Sequence, residues 1–585
     1  MTWNPDCIFS LNYASNHRRI DYTDNMANQE RTRRDFLTKA TVLAALGAST
    51  AKLFGEQPNL GVSDQAMQHA EELAGISFTE SERLQMLGTI QEQQAMLASR
   101  IAQGEIPNSL SPATVFQPRI PNTPLQLQTS SGNPIHNLPK AGPCPKEDDA
   151  LAFAPVWKLA QWLRNRDITS EYLTGLSLKR LKKYNPVLNC VISFTEKDAL
   201  RQAKQADREL AAGNWRGPLH GIPWGAKDII DTAGHPTTWG AAAYQDRISE
   251  KNAYVVDKLE LAGAVLVAKL AVGALAYGDI WFGGTCKNPF DTNEGSSGSS
   301  AGPASATAAG LLPFTLGTET YGSIVSPCMR CGTTGLRPTF GRVARTGVMA
   351  LCWSLDKIGP ICRSVLDTAL VLDVINGSDG GDPSSVTMPF HFDATQDVKG
   401  LRLGYDPALF GGPTEQFDRA ALRAAEVSGA TLVETSVPKI DNTLLLIPLL
   451  VEAASAFEEL TRSNQDDLLV WQDDDAWPNS FRQTWFIPAI EHIQASRLRR
   501  KIMEQMHEWM NDSFDAFLTP SFSDLLLTTN GTGHPALVLR TGMHNSKPVG
   551  TTLIGRLFDE GTICRLGLAI ESTLKVRDVR PDTVI

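Results

Sequence analysis

The sequence predicts an α/β fold in which a β-sheet is covered by helices. Its 585 residues are 42% apolar and only 20% charged, a balance that allows a large buried core. From about Leu151 onward, helical stretches alternate with short β-rich runs. Two clear instances are a helix–strand pair over 254–270 and another over 304–318. Such alternation is typical of strands packed beneath helices.

A helical extension precedes this body of the chain. Residues 63–105 carry helical patterning, in which Thr79 and Glu82 form a T-x-x-E capping box and Gly104 is placed to end the helix. Residues 106–150 are rich in Pro, Asn, Ser and Gln, which favours an extended connector. Three regions follow from these patterns: a leader region (1–51), a helical extension with its Pro-rich connector (52–150), and a main domain (151–585).

The start of the chain has the pattern of an export signal. Arg33 and Arg34 precede a mildly apolar, Ala-rich stretch and then small residues, so residues 26–51 resemble a bacterial twin-arginine leader. Met26 lies at a normal distance before the arginine pair and is a candidate start. A basic amphipathic helix that begins the fold is the alternative. No other apolar run is long enough to span a bilayer, so we expect a periplasmic or secreted protein without a membrane anchor.

Composition argues against nucleic-acid and metal partners. The formal net charge is −10, the sequence pI is near 5.6, and the main domain has no block of basic residues. Cys328 and Cys331 form a lone C-x-x-C without a second pair or suitably spaced histidines. We therefore expect ordinary thiols and no metal, and whether these two cysteines pair stays open.

A serine-rich segment, residues 294–327, is the candidate for nucleophilic chemistry. Within it, a G-x-S-x-G pattern is centred on Ser300. In an α/β-hydrolase this serine would follow a strand directly and would use a later histidine, for which His534 is the best candidate. A turn-rich loop precedes the pattern instead of a strand, so this interpretation is disfavoured.

Several ordered motifs describe the same region more completely. They are GIPWGAKDIIDTAG, SGSSAGPASATAAG, GTETYGSIVSP and SLDKIGPICRSVLDTALVL. Together they resemble the amidase signature family, and the resemblance extends over roughly 151–575. It implies a large mixed β-sheet covered by helices on both faces, hydrolysis of an amide C–N bond, and no cofactor.

The resemblance also implies a catalytic triad of Ser, Ser and Lys. Ser323 matches the family's nucleophile, Ser299 its bridging serine, and Lys227 the lysine of its V-K-D motif. The two serines are 24 residues apart, in agreement with the family's spacing. In the family the peptide bond before the bridging serine is cis, which here is the bond between Gly298 and Ser299.

The residue types at these positions suit proton transfer. A serine hydroxyl is a poor nucleophile and needs a base. A lysine can act as that base only when it is neutral, which requires desolvation. Ala226 and Ile229 indicate that Lys227 is buried. Ser299 would pass the proton of Ser323 to Lys227 and later protonate the leaving amine.

Backbone N–H groups in the turn of the nucleophile are the candidate oxyanion hole. The further candidate residues for the oxyanion hole and substrate binding are Thr320, Tyr321, Gly322 and Ser300. Tyr321 stands where the family often has Gly, so it would be strained if this position needs a positive φ. Val325 and Ser326 occupy positions where many members carry an Arg, so we expect the substrate's acyl side to be uncharged.

The expected function is that of an exported amidase, which forms a seryl acyl-enzyme on a small-molecule amide. Expected partners are this substrate and the twin-arginine export machinery, with a homodimer possible. One alternative is the glutaminase subunit of a tRNA amidotransferase, which shares the motifs but acts in the cytoplasm. The other is a non-catalytic binding protein of the same fold, although all three triad positions are present.

Overall fold

The computed structural model describes residues 62–121, 123, 125, 138–511 and 513–584. The predicted leader region and the candidate start at Met26 lie outside the described residues. The chain divides into two compact units, the first ending at Ala102 and the second beginning at Gln103.

The described part of the first unit is helical, as predicted. It consists of α1 (Asp64–Ala74) and α2 (Glu80–Ile101). The capping box at the start of α2 is present, because the Thr79 N–H donates to Glu82 Oε2 at 2.7 Å and the Glu82 N–H donates to the Thr79 hydroxyl at 3.4 Å. Gly104, predicted as the cap, lies three residues beyond the end of α2 with φ +85°.

The second unit contains helices along its whole length. In chain order they are α3 (Asp148–Ala152), α4 (Val156–Asn165), α5 (Ser170–Leu188), α6 (Glu196–Ala211), α7 (Tyr254–Leu261), α8 (Ala301–Ala308), α9 (Val325–Cys331), α10 (Val365–Ile375), α11 (Glu415–Val427), α12 (Leu446–Ala456), α13 (Glu458–Arg462), α14 (Trp477–Thr484), α15 (Ala489–Asn511), α16 (Leu525–Thr532) and α17 (Glu560–Leu574).

Eleven strands of this unit form one sheet. They are β1 (Val191–Phe194), β2 (Pro223–Lys227), β3 (Val265–Leu270), β8 (Phe314–Glu319), β9 (Thr334–Arg337), β10 (Lys357–Cys362), β11 (Arg402–Tyr405), β12 (Thr431–Glu434), β13 (Ala516–Pro520), β14 (Ala536–His544) and β15 (Lys547–Gly555). Two separate pairs are formed by β4 (Ile280–Trp281) with β5 (Gly284–Thr285) and by β6 (Lys287–Asn288) with β7 (Asp291–Gly295).

The sheet is mixed, with the order β1-β3-β2-β8-β10-β9-β14-β15-β13-β11-β12. Neighbours β3, β2 and β8 run parallel, as do β13, β11 and β12, and the strands between these two groups are antiparallel. Parallel neighbours need a crossover between them, and helices supply it here. The predicted helix–strand pairs over 254–270 and 304–318 are both among these elements.

Side chains of β14 show that helices cover both faces of the sheet. Ala536 and Val538 belong to one buried cluster with residues of α8 and α9. Leu537 and Leu539 belong to another with residues of α10 and α17. Because successive side chains of a strand point to opposite faces, the two clusters lie on opposite sides of the sheet. The predicted fold class is confirmed, including the large mixed sheet, its helical covering and the N-terminal helices.

None of the helices in the described part of the chain has the length and apolar character needed to cross a membrane. Cys328 and Cys331 both lie in α9, where they are buried free thiols. The described residues include no group of three His, Cys, Asp or Glu side chains arranged to hold a metal ion.

Candidate active site

Strand β2 places Lys227 in the interior of the second unit. All five residues of β2 are buried, and the strand is hydrogen-bonded to β3 on one side and β8 on the other. Lys227 is the last residue of β2 and is fully buried. Its ammonium nitrogen therefore emerges at the end of the strand, next to the loops that follow β2 and β8.

The loop before α8 supplies Ser299. The peptide bond between Gly298 and Ser299 is cis. Gly298 packs so closely against the carbonyl of Gly278 that a Cβ at this position would collide with that oxygen. Ser297 adopts φ +60°, with its N–H donating to Asp279 Oδ2 at 2.9 Å. A glycine would adopt this backbone conformation at lower cost, and the small serine tolerates it while gaining a hydrogen bond.

The tight turn between β8 and α9 supplies Ser323, which is 8% exposed. Its Oγ lies 3.0 Å from Ser299 Oγ, and Ser299 Oγ lies 2.9 Å from Lys227 Nζ. The structure thus brings the three predicted triad residues together as an unbroken chain of hydrogen bonds. Ser323 is the most exposed of the three, because Lys227 and Ser299 are at most 1% exposed, and this places Ser323 at the substrate end.

Burial gives Lys227 the properties of a base. Desolvation lowers its pKa to about 7, against a smaller opposing effect of Asp356 and Glu319, so a substantial neutral fraction exists at neutral pH. Nζ also lies 2.8 Å from the Thr318 hydroxyl, which helps to orient it. The adjacent Asp228 does not counteract this effect, since its carboxylate forms a buried ion pair with Lys269 at 2.9 Å.

The turn of Ser323 also presents unused backbone donors. Among the described residues, the N–H groups of Thr320, Tyr321, Gly322 and Ser323 have no hydrogen-bond partner. Buried in part and held by a rigid turn, such donors can stabilise an oxyanion. Gly322 adopts φ +82°, whereas Tyr321 keeps a negative φ. The strain considered for Tyr321 is therefore absent, because the glycine one residue later takes the left-handed conformation.

One polar residue that sequence reasoning missed, Glu319, holds this turn in place. Glu319 Oε2 accepts the N–H groups of Ile324 at 2.7 Å and Val325 at 2.9 Å. Its other oxygen accepts from Arg337 at 2.7 Å and from Asn530 at 2.8 Å. Burial alone would raise the pKa of Glu319, but Arg337, Lys357 and the hydrogen bonds that the carboxylate accepts together outweigh this effect, and the pKa falls to about 2. The glutamate of the G-T-E sequence, Glu319, is the feature of the sequence from which this role could have been predicted.

Ser300, a candidate for both substrate binding and the elbow nucleophile, is fully buried. Its hydroxyl accepts the Thr318 N–H at 3.1 Å and lies 3.1 Å from the Thr318 carbonyl. Its N–H donates to the carbonyl of Ser323 at 3.2 Å. Ser300 therefore ties the start of α8 to β8 and to the turn of Ser323, while its role in substrate binding stays a prediction.

His534 is the histidine that the disfavoured α/β-hydrolase interpretation would use, and its contacts are not those of a catalytic base. His534 Nδ1 lies 2.7 Å from the Thr532 hydroxyl, and its carbonyl accepts from Arg337 at 2.9 Å. Burial, reinforced by Arg337, lowers its pKa to about 3. With so low a pKa, the His534 imidazole is too weak a base to accept the proton of a serine near neutral pH.

Comparisons with known proteins agree with this site. Residues 172–529 match the Amidase family model. The chain is 34% identical over 469 residues to the A subunit of glutamyl-tRNA(Gln) amidotransferase from Chloroflexus aggregans, covering 71% of this chain and 95% of the relative. It is 31% identical over 484 residues to the protein of the same name from Moorella thermoacetica, covering 74% and 99%.

Two solved structures are similar as well. The peptide amidase of Stenotrophomonas maltophilia is 29% identical with a TM-score of 0.64, covering 73% of this chain and 98% of that one. The A subunit of glutamyl-tRNA(Gln) amidotransferase from Thermotoga maritima is 26% identical with a TM-score of 0.60, covering 74% and 96%. On these matches, and on the motifs that form the site, the chain belongs to the amidase signature family.

Proposed function

We propose that this protein is a stand-alone hydrolase of carboxylic amides that works through an acyl-enzyme on Ser323. The observation that carries the proposal is the continuous chain from Ser323 Oγ through Ser299 Oγ to Lys227 Nζ, with steps of 3.0 and 2.9 Å. A buried lysine with a pKa of about 7 supplies the base that this chain requires.

In the acylation step, the Ser323 oxygen bonds to the amide carbon as its proton moves to Ser299. Ser299 gives its own proton to neutral Lys227, and the carbonyl oxygen becomes an oxyanion facing the free N–H groups of the turn. When the C–N bond breaks, Ser299 protonates the leaving amine and recovers a proton from Lys227. Water then attacks the ester through the same relay, releasing the carboxylic acid and restoring Ser323.

A second candidate function is the glutaminase subunit of a tRNA amidotransferase. The names of the curated relatives favour it, since the proteins from Chloroflexus aggregans and Moorella thermoacetica are both named as part of such an enzyme. The predicted leader in residues 26–51 favours the stand-alone enzyme, because a protein that works with tRNA would remain in the cytoplasm. A third, non-catalytic role is disfavoured by the intact relay.

Covalent labelling with a fluorophosphonate, together with hydrolysis of a panel of aliphatic, aryl and peptide amides, tests the proposal. We expect labelling of the isolated protein and turnover of at least one amide class without any partner. Ser323→Ala should abolish both, and Ser300→Ala should keep the label, since the Ser300 hydroxyl is buried and hydrogen-bonded to the backbone of Thr318. Activity on glutamine that depends on added partner subunits would favour the amidotransferase role instead.

We also propose that the protein is exported in folded form. The support is the pair Arg33 and Arg34 ahead of a weakly apolar stretch. Replacing both arginines by lysine should trap the precursor in the cytoplasm, which cell fractionation would detect. Expression from Met26 should give the same mature protein. Export that is unchanged by the double substitution would contradict the leader assignment.

A further inference from the structure

The loop that carries Ser299 is held from two sides. It consists of residues 296–300 and joins β7 to α8. Gly278 and Asp279 contact the backbone of this segment on one side, and the segment that carries the nucleophile contacts it on the other. The residue that both sides hold is Ser297, two positions before Ser299.

Asp279 holds the backbone of the loop. Its Oδ2 accepts the Ser297 N–H at 2.9 Å. The same carboxylate lies flat against Gly295, where a Cβ would collide with Oδ2. The carbonyl of Gly278 packs just as closely on Gly298, the residue before the bridging serine. These contacts leave the backbone that leads to the bridging serine little room to move.

Ser326 holds the side chain of the same residue. Its Oγ lies 2.6 Å from Ser297 Oγ. Ser326 belongs to the first turn of α9, and its N–H donates to the carbonyl of Gly322 at 2.7 Å. The pair of hydroxyls therefore links the segment that carries Ser299 to the segment that carries Ser323.

The backbone of Ser297 indicates what its hydroxyl contributes. The residue has φ +60°, a left-handed conformation that is unfavourable for a side chain with a Cβ and easy for glycine. Glycine at this position would have the lower backbone cost, but it would lose the hydrogen bond to Ser326. Serine makes a contact to the nucleophile's segment that glycine cannot make.

Aromatic contacts anchor residues 275–279, the segment that holds the loop at its backbone. The ring centroid of Tyr277 lies 4.9 Å from that of Trp471 and 5.0 Å from that of Trp477. The indole N–H of Trp477, at the start of α14, donates to the carbonyl of Leu275 at 3.0 Å. Because it is packed against these rings, the segment provides a fixed support for the loop.

The relay depends on this support. Ser299 Oγ has to stay within hydrogen-bond distance of both Ser323 Oγ and Lys227 Nζ, at 3.0 and 2.9 Å. The loop sequence Ser-Ser-Gly-Ser-Ser has no apolar side chain that packing could fix, so its position depends on hydrogen bonds and close backbone contacts. A displacement of about 1 Å lowers the rate of such a step roughly 100-fold.

We propose that Ser297 is a positioning residue for Ser299. Asp279 holds the backbone of Ser297 and Ser326 holds its hydroxyl, so the loop keeps Ser299 within reach of both its relay partners. This inference rests on the proposed function, because it concerns the proton relay of that reaction. A displaced Ser299 should impair amides more than activated esters, since only an amine leaving group needs its proton.

The test is the ratio of kcat/KM for an amide to kcat/KM for the p-nitrophenyl ester of the same acid. Ser326→Ala and Asp279→Ala should each lower this ratio about tenfold or more. Asp279→Asn should keep most of it, because the carboxamide oxygen can accept the same N–H. Ser305→Ala is the matched control, since the Ser305 hydroxyl, in α8, donates to the carbonyl of Lys287 instead of to the loop.

A double-mutant cycle tests whether Ser297 and Ser326 act as a pair. Ser297→Ala removes the same hydrogen bond from its other end. Ser297→Ala/Ser326→Ala should therefore lower the ratio no further than Ser326→Ala alone. Additive losses would show that the two hydroxyls act separately and would overturn the assignment of Ser326 as the partner of Ser297.

The outcomes separate this inference from the proposed function. Absence of label at Ser323, or of amide turnover, in wild type would refute the proposed function and, with it, the inference. Amide turnover whose ratio to ester turnover is unchanged in both Ser326→Ala and Asp279→Ala would refute the positioning role alone. An equal fall of the ratio in Ser305→Ala would attribute it to general loosening of the fold and refute the role of Ser297. Thermal melting verifies the fold of every variant.

Discussion

Glu319 Oε2 accepts the backbone N–H of Ile324 at 2.7 Å, so the carboxylate that ends β8 holds the first residue after the nucleophile. The same oxygen accepts the next N–H, that of Val325, at the start of α9. Anions are favoured at such N–H groups, and this one remains ionised because Arg337 is paired with it. The position of Ser323 is thereby coupled to a buried ion pair.

Glu319→Gln should lower both activity and stability. It leaves Arg337 buried without a full counter-charge, a change that typically costs about 3–5 kcal/mol. We expect kcat/KM to fall as the turn loosens, with a weaker effect on KM than on kcat, since the oxyanion that the turn stabilises forms only in the transition state. Denaturant unfolding and steady-state kinetics measure the two effects.

The double variant Glu319→Gln/Arg337→Gln controls for the unpaired charge. It should recover part of the lost stability without recovering activity, because the carboxylate that holds the turn is still missing. If activity recovered together with stability, Glu319 would affect catalysis only by stabilising the fold.

The pH dependence of hydrolysis should follow Lys227. Its pKa is lowered by burial to about 7, so the neutral base is present above that pH. We expect kcat/KM to fall roughly tenfold for each pH unit below 7 and to be constant above it. The measurement is a pH–rate profile with a neutral amide. If the decrease in kcat/KM at low pH persisted in Lys227→Ala and disappeared in His534→Ala, the base would be His534 and not Lys227.

Lys227 should also affect the pH dependence of stability. The unfolded chain keeps this proton up to a pKa of about 10.4, whereas the folded protein releases it near pH 7. Between these values the unfolded state binds more protons, so the contribution of Lys227 to the free energy of unfolding increases with pH. The free energy of unfolding of Lys227→Met, measured by denaturant titration, should depend less on pH between these two pKa values. An unchanged dependence would mean that Lys227 is not desolvated.

Ser299→Ala should separate amide from ester hydrolysis. The variant removes the hydroxyl 3.0 Å from Ser323 and so breaks the relay to Lys227. An amine leaving group needs protonation and a good phenolate leaving group does not, so amides should lose far more activity than p-nitrophenyl esters. Parallel assays on an amide and an ester of the same acid measure this, and equal losses would argue against a relay through Ser299.

Tyr321→Gly should bring no gain in stability. Because Tyr321 has a negative φ, a glycine there relieves no strain and adds conformational freedom to the unfolded chain. We expect a loss of about 0.5–1 kcal/mol in the free energy of unfolding. The equivalent change at Gly322, to Ala, should be destabilising because this residue has φ +82°. Stabilisation by Tyr321→Gly would contradict the backbone assignment.

Both the fold class and the residues of the relay could be predicted from the sequence alone. Alternating helical and β-rich runs predicted the covered sheet, because the periodicity of apolar residues is a local property of the chain. Motif spacing selected Lys227, Ser299 and Ser323, which are the residues that the structure brings within hydrogen-bond distance. Glu319 of the G-T-E sequence could also be recognised, but its role in holding the turn of Ser323 could not.

Tertiary structure decided what depends on neighbours far away in the chain. The G-x-S-x-G pattern marked Ser300 as a possible nucleophile, yet the approach of β8 turns its hydroxyl toward Thr318. Asn108 and Ala350 are 242 residues apart, so no local pattern could predict the hydrogen bonds between them. The reason is physical: burial, and with it the pKa of Lys227 and the shape of the substrate site, is a property of packed elements rather than of any one segment.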